Sequence, residues 1–290
     1  MKKLFVIGIG VIVCVWFFSV PIAKADYTSG FESLSALAGG TLLTGQDGFY
    51  IPNATDTNYY VYTYTGNTLG LDQNPVGGSK FVAGTSGGDT AYGRGQRNVD
   101  FSTARVWTIS YDFAGIYTGT ALSTLQNLGS FTTQPSSGSA QFNHLMSWVD
   151  LYNPGSGFNA FYLNYDQFGS QISQPGASPG VQWAGLALNH WYHAFTTFDL
   201  TSNLITEVGI KDLTTNIETT FNPIDWYLGG GQYGSVDPTA FRFFAGGTNG
   251  GNVMAFDNIS IQPVPEPATM LLLGSGLIGL AGYARKRFKK

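Results

Sequence analysis

Several stretches of the chain alternate between apolar and polar residues with the two-residue period of a half-buried strand. In the segment Val106 to Phe113, the set Trp107, Ile109, Tyr111 and Phe113 takes one face, and Val106, Thr108, Ser110 and Asp112 take the other. From His190 to Leu200, Trp191, His193, Phe195 and Thr197 share a face. Leu204 to Ile210 reads as the next strand, with Leu204, Thr206, Val208 and Ile210 opposite Ile205, Glu207 and Gly209. The cluster Asp199-Leu200-Thr201-Ser202-Asn203 between them carries turn chemistry, so the pair is expected to form a hairpin. Tyr60, Tyr62 and Tyr64 alternate with Val61, Thr63 and Thr65, and late strands are expected at Phe241–Ala245 and Val253–Ile261. No amphipathic helix is legible between the two ends of the chain.

The ends follow another pattern. Met1-Lys2-Lys3, an apolar run from Leu4 to Val20 and the tripeptide Ala23-Lys24-Ala25 read as a secretory signal peptide cleaved after Ala25. Residues 1–25 would thus be removed by signal peptidase after passage through the export translocon. Cys14 lies within the apolar run and follows Val13, where a lipoprotein signal wants a small residue. At the other end, Pro265-Glu266-Pro267 precedes an apolar stretch over 268–284 and the basic run Arg285, Lys286, Arg287, Phe288, Lys289, Lys290. As a helix, 268–284 would be about 25 Å long, enough for a thin bilayer, and the cations would hold the tail on the cytoplasmic side.

This C-terminal arrangement resembles the PEP-CTERM sorting signal. The resemblance implies that Pro265, Glu266 and Pro267 are the sorting motif, that Arg285, Lys286 and Arg287 form the membrane stop, and that an exosortase processes the tail. It also implies a Gram-negative source that makes exopolysaccharide, and a route from an inner-membrane-anchored intermediate to the cell surface or a biofilm matrix. Between the ends, residues 26–262 are expected to form one all-β domain.

Composition supports strands: Phe 21, Tyr 16 and Trp 6 are strand formers, 39 glycines supply turns, and only 11% of residues are charged. The expected architecture is a β-sandwich. It is similar to a concanavalin A-like, LamG-type jelly roll through His190-Trp191-Tyr192-His193, Phe198-Asp199-Leu200, Ile210-Lys211-Asp212 and Phe256-Asp257-Asn258-Ile259. Phe31-Glu32 and Gly45-Gln46-Asp47-Gly48-Phe49 resemble the start of exported PEP-CTERM proteins.

Charge narrows the partners. Between Asp26 and Pro263 six basic side chains face 17 acidic ones, a formal net charge of −11. Such a domain repels phosphate backbones, which excludes nucleic acid. On net charge alone, an acidic polysaccharide would need bridging cations.

The expected export leaves no cysteine, so neither disulfides nor thiol chemistry is available. Glu32, Glu207 and Glu218 are the domain's glutamates, and none stands in the alternating Glu-x-Asp-x-x-Glu spacing that glycosidases of this fold class use. No catalytic residue is assigned and no enzyme activity is expected. His190 and His193, three apart on a strand, point to opposite faces, and His144 lies elsewhere in the chain. Gly93-Arg94-Gly95 lacks the strand-to-helix setting of a phosphate loop.

No cofactor is required. A structural calcium ion held by Glu32, Asp257 and Asn258 is the candidate metal site, with backbone capping by Asp257 and Asn258 as the alternative. Candidate sugar-stacking residues are the strip Tyr60, Tyr62 and Tyr64 and the pair Trp226 and Tyr227 before Gly229-Gly230-Gly231, with core packing as the alternative fate. The function these features imply is that of a non-catalytic, exported structural or adhesive protein, with a carbohydrate-binding module and a polysaccharide hydrolase as alternatives.

Overall fold

The structure, a computed structural model, describes residues 27–85, 92–117, 126–134, 146–151, 157–172, 183–234, 237–246 and 252–265. The expected signal peptide, the helix over 268–284, the basic tail and His144 lie outside the described residues.

The described chain is almost entirely strand. In order it forms β1 (Tyr27–Ser29), β2 (Thr41–Leu42), β3 (Thr57–Thr63), β4 (Lys80–Thr85) and β5 (Gly93–Asn98). There follow β6 (Val106–Tyr117), β7 (Gln126–Gln134), β8 (Met146–Leu151), β9 (Phe158–Leu163) and β10 (Trp183–Leu186). The series closes with β11 (Tyr192–Asp199), β12 (Leu204–Asp212), β13 (Glu218–Phe221), β14 (Ala240–Ala245) and β15 (Asn252–Pro263). Helical structure among the described residues is confined to two single 3-10 turns, Phe101–Thr103 and Gly231–Tyr233.

The strands build two sheets. One runs β3-β4-β15-β6-β11-β12-β13 and the other β10-β9-β8-β7-β14-β5-β3. Neighbours pair antiparallel except at the start of β3, where Thr57 and Asn58 pair parallel with Gly93 and Arg94 and link the two sheets. We call the first sheet the β6 sheet and the second the β14 sheet.

Aromatic rings fill the space between the sheets. Tyr111 on β6 stacks on Phe131 of β7 at 4.3 Å, and Phe243 on β14 stacks on Phe256 of β15 at 4.8 Å. Each such pair adds about 0.5–1.5 kcal/mol beyond its buried area, which suits a core built without disulfides. Trp107, Ile109, Tyr111 and Phe113 all face this core, as the alternation of β6 predicts.

The hairpin between β11 and β12 forms as expected, and Asp199 Oδ1 accepts the Thr201 N–H at 2.7 Å inside the turn. The alternation predicted for β12 fails at one point. The register slips so that Thr197 pairs with Glu207 but Phe198 pairs with Ile205, leaving Thr206 as an extra, exposed residue. This β-bulge rotates the strand, and Ile205 joins Val208 and Ile210 in the core.

The β6 sheet is buried on its outer face as well. There Tyr62, Tyr64, Leu71, Phe81, Trp191 and Ala255 make a second, smaller apolar cluster. The connection from β3 to β4 folds back over the sheet: Leu71 is buried in the cluster and the Trp191 indole N–H donates to Asp72 O at 2.8 Å.

Candidate functional site

Tyr60, Tyr62 and Tyr64 do not form an exposed strip. Tyr62 and Tyr64 are buried in the outer cluster, where both pack on Phe81 at 5.4 and 4.7 Å, and Tyr60 is partly buried beside them. Their ring faces are occupied by protein. Tyr227 is buried too and exchanges backbone hydrogen bonds with Tyr165, while Trp226 packs partly buried against the main core.

The candidate calcium residues take part in two separate hydrogen-bonded clusters. Asp257 and Asp112 stand opposite each other on β15 and β6, and both are buried. Asp257 Oδ2 accepts from the Tyr64 hydroxyl at 2.9 Å and from Asn74 Nδ2 at 3.3 Å, and its Oδ1 accepts the Asn258 N–H at 2.8 Å. Asp112 Oδ2 accepts from Asn74 Nδ2 and from Asn258 Nδ2, each at 2.7 Å, and its Oδ1 lies 2.6 Å from His193 Nδ1. Asn258 occupies a left-handed conformation, φ 46°, in a bulge of β15. Glu32 serves other groups: its carboxylate accepts from the Ser79 N–H and hydroxyl and from the Lys80 N–H.

Together these carboxylates fasten the segment Asn74–Lys80 across the sheet. A Cβ at Gly77 would collide with Asp257 and one at Gly78 with Glu32, so the backbone passes where only glycine fits. The oxygens face N–H and O–H donors, an arrangement suited to carboxylates rather than to a cation. Among the described residues no group of three His, Cys, Asp or Glu side chains is placed to hold a metal ion. Burial raises the Asp257 carboxyl to about 7, a shift that the Tyr64 and Asn258 hydrogen bonds only partly oppose. Asp112 and Asp257 lie beneath this segment rather than across an open cleft, which is where a glycosidase needs its pair. The two histidines separate onto different carboxylates, His190 Nε2 lying 2.9 Å from Asp212 Oδ1.

The outer face of the β14 sheet is chemically different. On β14, Phe241, Phe243 and Ala245 point into the core, so Ala240, Arg242 and Phe244 point out. On β5 the outward set is Arg94, Gln96 and Asn98, because Gly95 abuts Leu43, Tyr59 and Phe243 on the core side. On β7 it is Ser130, Thr132 and Gln134. The register aligns Arg242 with Gln96 on one side and Thr132 on the other, and Phe244 with Arg94 and Ser130.

The polar groups of this face interlock only in part. Gln96 Oε1 accepts from Arg242 Nε at 2.8 Å and from Gln134 Nε2, and Gln96 Nε2 donates to the Tyr50 hydroxyl at 2.7 Å. That hydroxyl donates to Asn98 Oδ1 at 2.9 Å. Arg94 Nη1 binds both oxygens of Asp56, at 2.8 and 2.9 Å, while the rings of Tyr92 and Phe244 each lie 5.3 Å from its guanidinium carbon. Arg94 and Asp56 thus neutralise each other, and Arg242, only 3% exposed, has no ion-pair partner among the described residues. Burial and the Arg94 charge lower its pKa to about 10, the Asp56 carboxylate only partly opposing them, so it stays protonated at neutral pH. Among the described residues of this face three buried donors lack a partner: Arg242 Nη2, Arg94 Nε and the Thr132 hydroxyl.

The sequence marks these residues only faintly. Gly93-Arg94-Gly95 lacks the setting of a phosphate loop, but Arg94, Gln96 and Asn98 repeat at the strand period. The other signal was a lone arginine inside Phe241-Arg242-Phe243-Phe244.

Comparison with known proteins identifies the C-terminal segment. Residues 263–287 match the family model of the PEP-CTERM protein-sorting motif. The chain therefore carries a sorting signal that implies export to the cell envelope and processing by exosortase. Of its residues, 263–265 lie within the described structure; Pro263 ends β15 and the Val264 N–H donates to Val106 O at 2.8 Å. No curated protein matches the chain.

Solved structures similar in fold include lectin II from Ulex europaeus, 8% identical with a TM-score of 0.40, covering 78% of this chain and 95% of that one. Basic winged bean lectin with Tn-antigen is 9% identical with a TM-score of 0.41, covering 81% of this chain and 96% of that one. A carbohydrate esterase from Shiga toxin-encoding bacteriophage phi24B is 12% identical with a TM-score of 0.42, covering 78% of this chain and all of that one.

Proposed function

We propose that this is a non-catalytic exported protein of the cell surface or extracellular matrix, and that its sandwich engages polysaccharide through the outer face of the β14 sheet. The observation that carries this reading is the set of partnerless donors on Arg242, Arg94 and Thr132, beside the part-exposed rings of Tyr92 and Phe244. Sugars present hydroxyl and carboxyl oxygens to such donors and C–H faces to such rings. The sorting motif supports the location, since it directs the chain to the envelope where such polymers lie. A purely structural role is the competing reading, favoured by the extent of aromatic packing on both faces of the β6 sheet.

The test is a glycan array and polysaccharide pull-down with the full chain in detergent micelles, with calcium and with chelator. Binding that weakens about fivefold in Tyr92→Ala, the loss of about 1 kcal/mol of ring contact, and stays unchanged in Trp226→Ala supports the proposal. Silence across all glycans refutes it in favour of the structural role.

A further inference from the structure

Net charge and local charge disagree in this domain. Six basic residues against 17 acidic ones give −11 between Asp26 and Pro263, yet two of those six, Arg94 and Arg242, stand on neighbouring strands of one face. Asp56 is ion-paired with Arg94 and reaches Arg242 only through space. A buried guanidinium with no ion-pair partner among the described residues is costly, and an Nη2 group that meets no acceptor adds to the cost. Such a group is stable where an anion completes it. Beside it Thr132 offers an unpartnered hydroxyl, and Gln96 Oε1 already accepts from Gln134 Nε2 and Arg242 Nε.

We infer that Arg242, with Thr132 and Arg94, forms a seat for a single oxyanion, the carboxylate or sulfate ester of an acidic polysaccharide. This deepens the proposed polysaccharide binding and rests on it. The fork geometry of Arg242 suits a planar carboxylate best, since two parallel N–H groups meet two oxygens. A pendant acid group enters from the side where Tyr92, Arg94 and Phe244 are part-exposed, and its sugar ring remains against the two aromatic rings. The charge balance needs no bridging cation, contrary to what net charge alone implies.

The experiment measures binding of the full chain in detergent micelles to polygalacturonate, dextran sulfate and neutral dextran, all in EDTA. Thermal unfolding with free glucuronate and free sulfate runs alongside. The expected result is that polygalacturonate binds at least tenfold more tightly than dextran, and that Arg242→Met loses about 30-fold or more of that affinity. Its unfolding temperature should equal or exceed that of the wild type, because the lone buried charge is gone. Dextran sulfate binding more tightly than polygalacturonate, with the same loss in Arg242→Met, supports the seat and assigns it to sulfate esters.

Should Arg242→Met not fold, Arg242→Lys keeps the charge and loses the fork, and a drop of about tenfold supports the inference. Equal binding of all three polymers, indifferent to both variants, overturns the seat while leaving polysaccharide binding intact. No polymer binding, with wild type alone stabilised by free glucuronate or sulfate, keeps the anion seat and overturns the polysaccharide reading. No difference between wild type and Arg242→Met in any arm overturns the seat.

Discussion

Replacing Asp257 by Asn should flatten the dependence of stability on pH. In the folded protein the Asp257 carboxyl lies near 7, against an ordinary value of 3.8, because burial beside Asp112 disfavours its charge. Between about pH 4 and about pH 7 the folded chain therefore holds a proton that the unfolded chain has released. Stability must fall as pH rises through that window and level off above it. The gap from 3.8 to about 7, at about 1.4 kcal/mol per pH unit, corresponds to about 4 kcal/mol. Admission of water beneath the Asn74–Lys80 segment relaxes part of this, so an observable change of about 2 to 4 kcal/mol is expected.

Asparagine cannot ionise, but it keeps the shape and retains an oxygen for the Asn258 N–H. Urea unfolding followed by tryptophan fluorescence, repeated from about pH 4 to about pH 8, should show wild type losing more stability than Asp257→Asn by this amount. Parallel curves for the two proteins, or a wild-type advantage that grows with pH, would refute the assignment of a protonated carboxyl to the cluster.

Two other perturbations have definite outcomes. Gly84→Ala would push a methyl group into the buried Tyr59 ring, so chemical denaturation should show a loss of about 1–3 kcal/mol with no change in glycan binding. For Asp212, burial alone would raise the carboxyl, yet the Thr215 and Thr214 N–H groups and the His190 ring outweigh it and hold it near 2. Its stabilisation is present above the ordinary carboxylate range and lost as pH falls through about 4 towards 2, so Asp212→Asn should narrow the acid-induced loss of stability in a titration monitored by circular dichroism.

Alternation in the sequence predicted the core face of β6 because that strand carries Trp107, Ile109, Tyr111 and Phe113 on one side and mostly polar residues on the other. On β11, which turns Thr196 inward and Phe195 outward, it marks two faces without saying which is the core. It misassigned β12 because a bulge changes phase without leaving a mark in composition: Thr206 is an ordinary strand residue. It also misplaced the tyrosines. Tyr62 and Tyr64 lie opposite Val61 in the alternation, as read, but their side of the sheet is covered by the β3–β4 connection, whose course depends on contacts such as Asn74 with Asp257, 183 residues away. The outer face of the β14 sheet was illegible for the same reason. Arg94 and Arg242 become neighbours only when β5 pairs with β14, and a net charge summed along the chain conceals two cations that folding brings together.

The pairing of β1 with β15 has a mechanical consequence. Tyr27, Thr28 and Ser29 lie beside Ile261, Ser260 and Ile259, and β15 runs straight into the sorting motif at Pro263. Any tug transmitted from the tail pulls along the axis of a 12-residue strand that is bonded to β1, β4 and β6. Hydrogen bonds loaded in that direction share the force and yield together instead of peeling open one after another. The sorting motif thereby hangs from a strand that is stitched to neighbours on both sides.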